Sequence, residues 1–218
     1  MLEGGRVGTT QRRAYDTSGR RAAAERNRLA VIDASRELLL RDGYQATTIG
    51  AIAERAGVST ELIYKTFGSK QRLMKAVYDV ALAGDAEPVP IGQRPAIARI
   101  MAEPDARAKI ELYAAFVEDL MARLGGLLAV LAEADPELAE LRVTTEGERL
   151  IGASAFVGHL HEQGHLAPGT DLARAADACW VQTSPQLFAQ LAITRGWSPG
   201  DYRSWLATVL TASLLPPA

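Results

Sequence analysis

Residues 47–70, TTIGAIAERAGVSTELIYKTFGSK, decide how this chain is read. Ile49, Ile52, Ala53 and Ala56 recur at i, i+3, i+4 and i+7, the apolar stripe of an amphipathic helix. Gly57 follows the last of them, where a left-handed residue ends a helix at least cost. Val58 then plugs the angle between two helices, and Ser59 offers a side-chain oxygen to cap the second. In that second helix Ile63 and Phe67, one turn apart, face the core and leave Thr60, Glu61, Tyr64 and Lys65 pointing outward. So polar a face makes little sense as packing, but it suits a helix laid in the major groove of DNA.

Working outward, a first helix is expected over 22–41, with Val31, Ile32, Ser35, Leu38 and Leu39 as its buried stripe and Asp42-Gly43 as its stop. Tyr44 packs in the connection, and Thr47 or Thr48 caps the next helix. Ser69 caps a fourth helix running to about residue 83. The stretch 84–96, GDAEPVPIGQRPA, holds three prolines and bounds this unit.

Three blocks, RLAVIDASRELLLRDGYQATT (28–48), IAERAGVS (52–59) and IYKTFGSK (63–70), resemble the DNA-binding domain of the TetR (tetracycline-repressor-like) transcriptional regulators in order, spacing and residue type. The resemblance covers about a quarter of the chain. It implies an all-α protein: an N-terminal three-helix helix-turn-helix domain reading DNA over 21–83, and a larger helical ligand-binding and dimerisation domain over 84–218. Residues 1–20, rich in Gly, Thr, Arg and Ser without periodicity, read as a disordered basic tail. The chain departs from the family at Glu61 and Leu62, where members often carry a small residue and Thr, and at Lys65 and Thr66, where they often carry His-Tyr. Those positions usually touch DNA, so base preference is not carried over from relatives.

The chemistry of the site follows from three helix N-termini, at Thr47/Thr48, Ser59/Thr60 and Ser69/Lys70, whose free N–H groups and partial positive charge suit phosphates. Lys70 adds a full charge. Base reading falls to the outer face of 60–66: Lys65 for guanine, Glu61 for a cytosine amino group, and Leu62 or Thr60 for a thymine methyl, with Tyr64 along the backbone. One such helix recovers too little specificity, which implies a homodimer on a near-palindromic double-stranded operator.

Composition fits this reading. The 218 residues carry −2 overall, but residues 1–84 hold +5 and the remainder −7, as for one domain on phosphates and another kept off them. The longest apolar run, LGGLLAVLA at 124–132, is too short to span a membrane. A single cysteine and an N-terminus without an apolar leader point to the cytoplasm.

Beyond residue 84 everything reads as helix. A short piece falls at 97–101. Another helix starts at Pro104-Asp105 with Ile110, Tyr113, Ala114, Val117, Leu120 and Met121 inward, and is interrupted at Gly125-Gly126. The next runs from Asp135-Pro136 to Gln163. A further one runs from Asp171 to about Arg195, with a break at Ser184-Pro185, and the last starts at Ser198-Pro199-Gly200-Asp201. The family resemblance implies a small-molecule pocket here, for which Tyr113, Phe116, Phe156, His159 and Trp180 are candidate linings; core packing is the competing reading for each. It also implies a dimer built from the last two long helices, with Leu187, Leu191, Trp205, Leu206 and Val209 as candidates. His161 and His165 have zinc spacing, but Gly164 falls between them, and no metal or other cofactor is expected. No phosphate loop, G-x-S-x-G elbow or H-E-x-x-H is present, so catalysis is not expected. Two readings stay beside the ligand-released repressor: a DNA-binding regulator without small-molecule control, and an all-α enzyme or ligand carrier.

Overall fold

The computed structural model describes residues 17–85, 89–133 and 136–216, and every regular element among them is helical. Four helices come first: α1 (Thr17–Ala46), α2 (Ile49–Ala56), α3 (Thr60–Phe67) and α4 (Lys70–Ala83). After a short 3-10 turn follow α5 (Pro95–Ala102), α6 (Ala106–Glu133), α7 (Ala139–Glu162), α8 (Leu172–Gln182), α9 (Pro185–Phe188) and α10 (Pro199–Leu214).

Helix α1 starts earlier than the apolar pattern indicates. Residues 17–20, expected in the tail, are already helical, because the alanine-rich run RRAAAER has high intrinsic helix propensity and needs no buried stripe to continue upstream. Residues 1–16, with Arg6, Arg12 and Arg13, lie outside the described residues. The far end falls where Asp42-Gly43 places it: Gly43 leaves helical geometry at φ 78°. Val31, Ile32, Ser35, Leu38 and Leu39 are all buried.

Gly125-Gly126 does not interrupt α6, contrary to expectation. These glycines serve close approach instead. A Cβ on Gly126 would lie 2.7 Å from Leu40 Cδ2 of α1, and one on Gly125 would lie 3.1 Å from the Phe188 ring of α9. The unbroken α6 is therefore a spine about 42 Å long, at 1.5 Å per residue. Helix α7 begins at Ala139 rather than at residues 135–136, since the preceding turn must first bury Leu138. The Ser184-Pro185 break is present, with the Ser184 hydroxyl capping α9, and a π-helical turn follows over Ala189–Thr194. Asp171 caps α8, and Ser198 and Asp201 form a reciprocal capping box on α10.

Two apolar clusters organise the packing. The first joins α1–α4 and continues into Leu124 and Leu127 of α6 and Leu138 and Leu141 at the start of α7. The second fills the space between α5, α6, α7, α8 and α10, and Leu120 and Leu128 of α6 pack against both. Polar ties reinforce the joint. Arg123 of α6 donates to the carbonyl oxygens of Ala81 and Leu82 at the end of α4, at 3.2 and 3.4 Å. Lys75 of α4 reaches Glu148 of α7 at 2.8 Å.

The second cluster makes stability sensitive to alkali. Burial pushes the Cys179 thiol from 9.0 up to about 12 and the Tyr202 phenol from 10.0 up to about 12. Above the unfolded-state values the unfolded chain holds fewer protons than the folded one, so stability falls as pH rises. This contribution is complete below pH 9.0 and is lost progressively on the way to about 12. Urea midpoints measured at pH of about 8 and about 10.5 should show a clear drop at the higher value, with Cys179 unreactive to a thiol reagent until unfolding. Equal midpoints would contradict this account.

Candidate DNA-reading site

The reading head is assembled by caps. Thr48 Oγ1 accepts from the Ala51 N–H at 3.1 Å and opens α2. Gly57, at φ 68°, closes it, and the Val58 N–H returns to the Ala53 carbonyl at 3.0 Å. Ser59 Oγ accepts from the Leu62 N–H at 3.2 Å and opens α3; Ser69 Oγ accepts from Arg72 N–H at 3.2 Å and opens α4. Ile52, Ala53, Ile63 and Phe67 are buried, which fixes the roll of α3. Its outward face then presents Glu61, Tyr64, Lys65 and Thr66, with Thr60 and Leu62 half-buried at its margins. Tyr64 is 54% exposed although large and aromatic, a poor choice unless something covers it.

Three expected contact residues have other duties. Thr47 is 1% exposed and its hydroxyl donates to the Gly43 carbonyl at 2.7 Å. It satisfies the end of α1 where the chain leaves helical geometry, so Thr48 alone is the outward hydroxyl of the pair. Lys70 turns inward: Nζ donates to the Tyr44 carbonyl at 2.6 Å and lies 3.8 Å from the centre of the Tyr44 ring. Desolvation lowers its pKa, partly countered by Glu137. It clamps α4 to the α1–α2 connection. Glu61 folds back on its own helix end, where hydrogen bonds from its own backbone N–H and from Ser59 lower its pKa. An ionised carboxylate held at a helix N-terminus is stabilised there and projects less charge towards a phosphate.

The residues expected around a ligand do converge in the second cluster, but as packed neighbours. Tyr113 and Phe156 stack at 3.8 Å between centroids, and Phe116 lies 6.4 Å from Tyr113. Trp180 carries Arg149 5.5 Å from its ring centre, and its Nε1 is buried without a hydrogen-bond partner among the described residues, as is the Tyr202 hydroxyl. His159 Nε2 lies 2.8 Å from Lys109 Nζ and 3.1 Å from the Met101 carbonyl oxygen. Lys109 itself was not picked out from the sequence; it is 1% exposed, donates to the Met101 carbonyl at 3.2 Å, and has a pKa lowered by burial against the pull of Glu103. Its spacing to Tyr113 and Phe116, at i, i+4 and i+7, was the available signal. An open groove lies elsewhere, between α5, α6 and α10, and includes Arg99, Leu112, Arg203 and Thr208.

Among the dimer candidates Leu206 belongs to the interior. It is 0% exposed, in line with buried Tyr202, Leu210 and Leu214 on the α10 stripe that packs on α6. Leu191, Trp205 and Val209 are partly buried against the same cluster, and Leu187 is half-buried. Gly164, at φ 72°, ends α7 between His161 and His165, so the two imidazoles do not share one continuous helix.

Comparison with known proteins agrees with the geometry of α1–α4. Residues 31–77 match the model of the bacterial regulatory proteins of the tetR family. An uncharacterized HTH-type transcriptional regulator of Bacillus subtilis, YvkB, is 45% identical over 47 residues, which are 22% of this chain and 25% of that protein. The HTH-type transcriptional regulator AlkX of Mycobacterium tuberculosis is 43% identical over 54 residues, 25% of each chain. The similarity thus spans about a quarter of the length of these relatives. The whole fold is shared more widely. NalD, the secondary repressor of a multidrug efflux pump in Pseudomonas aeruginosa, has a TM-score of 0.67 at 19% identity over 88% of this chain and 98% of its own. FadR of Bacillus subtilis, solved with stearoyl-CoA, has a TM-score of 0.69 at 17% identity, over 85% and 98%. SmeT, solved with triclosan, has a TM-score of 0.62 at 16% identity, over 88% and 93%. Residues 31–77 thus match the helix-turn-helix of the bacterial regulatory proteins of the tetR family in sequence, and the solved structures share the fold of the chain as a whole.

Proposed function

We propose that the protein is a dimeric, sequence-specific DNA-binding repressor that a small-molecule effector releases from its operator. The observation that carries this reading is the outward face of α3, where Tyr64, Lys65 and Thr66 stand exposed on a helix rolled into place by Ile63 and Phe67. Phosphates meet the capped ends of α2, α3 and α4, with Thr48, Ser59 and the N–H groups beside them as donors. Lys65 donates to guanine and Leu62 and Thr60 meet thymine methyls, while Tyr64 follows the backbone. Two copies, joined through α8–α10 with Leu187, Leu191, Trp205 and Val209 near the seam, set two such helices about one turn of DNA apart.

The effector would enter the second cluster beside Tyr113, Phe116, Phe156, His159 and Trp180. The buried, unpartnered Trp180 Nε1 and Tyr202 hydroxyl are hydrogen-bonding points that a ligand would satisfy. The apolar lining suits a compound with a large apolar body, as stearoyl-CoA and triclosan have in the solved FadR and SmeT complexes. Displacing α6 or α7 shifts α4 through Arg123 and Lys75, and with it the spacing of the two recognition helices. A regulator free of small-molecule control is the second reading, favoured by the direct Tyr113–Phe156 stack at 3.8 Å.

In-vitro selection of duplex DNA on the purified protein tests the first claim, and a near-palindromic consensus is the expected result. A protein that still enriches nothing after unfolding and refolding to strip any ligand is not a sequence-specific regulator. A thermal-shift screen of apolar compounds, followed by operator release, then separates the two readings of control.

A further inference from the structure

The first turns of α1 project beyond the core. Val31 is the first fully buried residue, and from residue 20 to residue 27 only Ala23 is even half-buried. These turns bury little among the described residues, and a short solvated helix is marginal by itself. Its charge is one-sided, with Arg20, Arg21, Arg26 and Arg28 against Glu25. Its position is defined as well: Arg21, Ala24, Glu25, Arg28 and Val31 form one wall of a cleft whose other wall is Leu62, Thr66 and Phe67 of the reading helix. Arg21 and Arg28, two turns apart, thus form a basic stripe beside the C-terminal half of α3. Arg26 sits roughly 140° further round the helix from Arg21 and faces elsewhere.

We propose that Arg21 and Arg28 form a second DNA site, gripping backbone phosphates that flank the bases read by α3. The inference rests on the DNA-reading role of α3. A helix seated in the major groove has phosphates rising on both sides of it, and two guanidiniums along its flank meet one such strand. The ion pair between Arg28 and Glu25, 3.3 Å long and solvent-exposed, is of the weak kind that a phosphate readily replaces. These contacts add strength and register without base information, so they extend the footprint but not the consensus.

The test compares wild type with Arg21→Gln/Arg28→Gln on a selected operator, by binding titrations across a salt series and hydroxyl-radical footprinting. Glutamine keeps helix propensity, and circular dichroism checks that α1 persists. The double variant should bind roughly 10- to 100-fold more weakly, with the log–log salt slope reduced by roughly 2 per protomer. It should lose protection at the flank of each half-site and select an unchanged consensus. Arg26→Gln should keep the wild-type footprint, and Arg21→Lys/Arg28→Lys should recover most of the affinity. An unchanged slope and footprint in the double variant overturn the proposal, as does an equal loss from Arg26→Gln or a failure of the lysine pair to rescue. If wild type selects an operator and the double variant matches it, only this proposal falls. If wild type selects no sequence at all, the reading of α3 falls first and this site with it.

Discussion

Alanine at Leu206 is expected to lower the unfolding free energy by about 3 kcal/mol, within the range of roughly 2–5 for leucines truncated in packed cores. The side chain is 0% exposed and sits where α10 crosses α6, between buried Tyr202 and Leu210. Removing it leaves a cavity that two long helices cannot collapse around without disturbing the rest of the second cluster. The signature separates core from interface. A core residue shifts the urea midpoint downward at every protein concentration. A residue buried only between subunits leaves the monomer's stability intact and makes the dimer dissociate on dilution. Urea melts at several concentrations, with light scattering for the oligomer, distinguish the two. A midpoint equal to wild type alongside lost dimer would return Leu206 to the interface.

At the other end of the molecule, Lys65→Ala is expected to relax base preference at one position in each half-site, at a cost of about 1–3 kcal/mol for each lost base contact. Adding Tyr64→Ala deepens the loss on the operator while leaving weak, salt-sensitive binding to any duplex. Neither change should alter stability, since both side chains are exposed on α3. Lys70→Ala makes the informative contrast. Because Nζ bonds the Tyr44 carbonyl at 2.6 Å, its loss leaves a buried acceptor unpaired and frees α4 from the α1–α2 connection. It is therefore expected to weaken binding to all sequences alike and also to lower stability by about 1–3 kcal/mol. Operator titrations with single-base variants, read beside melting curves, check both. A Lys65→Ala protein with an unaltered consensus would remove Lys65 from the reading face.

The helix-turn-helix was legible because everything that defines it is local. Thr48, Ser59 and Ser69 cap the helices they precede, Gly57 turns left-handed, and Ile52, Ala53, Ile63 and Phe67 face inward at helical spacing. Each interaction spans four residues or fewer, so the chain order already contains it. The same holds for Asp171 on α8 and for the Ser198–Asp201 capping box.

What went unread depends on distant partners. Gly125-Gly126 has the composition of a helix break, yet α6 runs through it because Leu40, 86 positions before Gly126 in the numbering, needs the space. Lys70 has the look of a phosphate ligand until Tyr44 is placed beneath it, and Thr47 that of a cap until Gly43 offers a bare carbonyl. Leu206 satisfies the pattern of a buried stripe whichever partner covers it, and only the packing of α10 on α6 identifies that partner. The sequence by itself determined the all-helical class, the helix-turn-helix and the identity of its outward face, since short-range capping and periodicity specify them. The tertiary structure alone decided which polar groups are spent inside the fold, because long-range packing settles burial and a buried donor or acceptor must find its partner there.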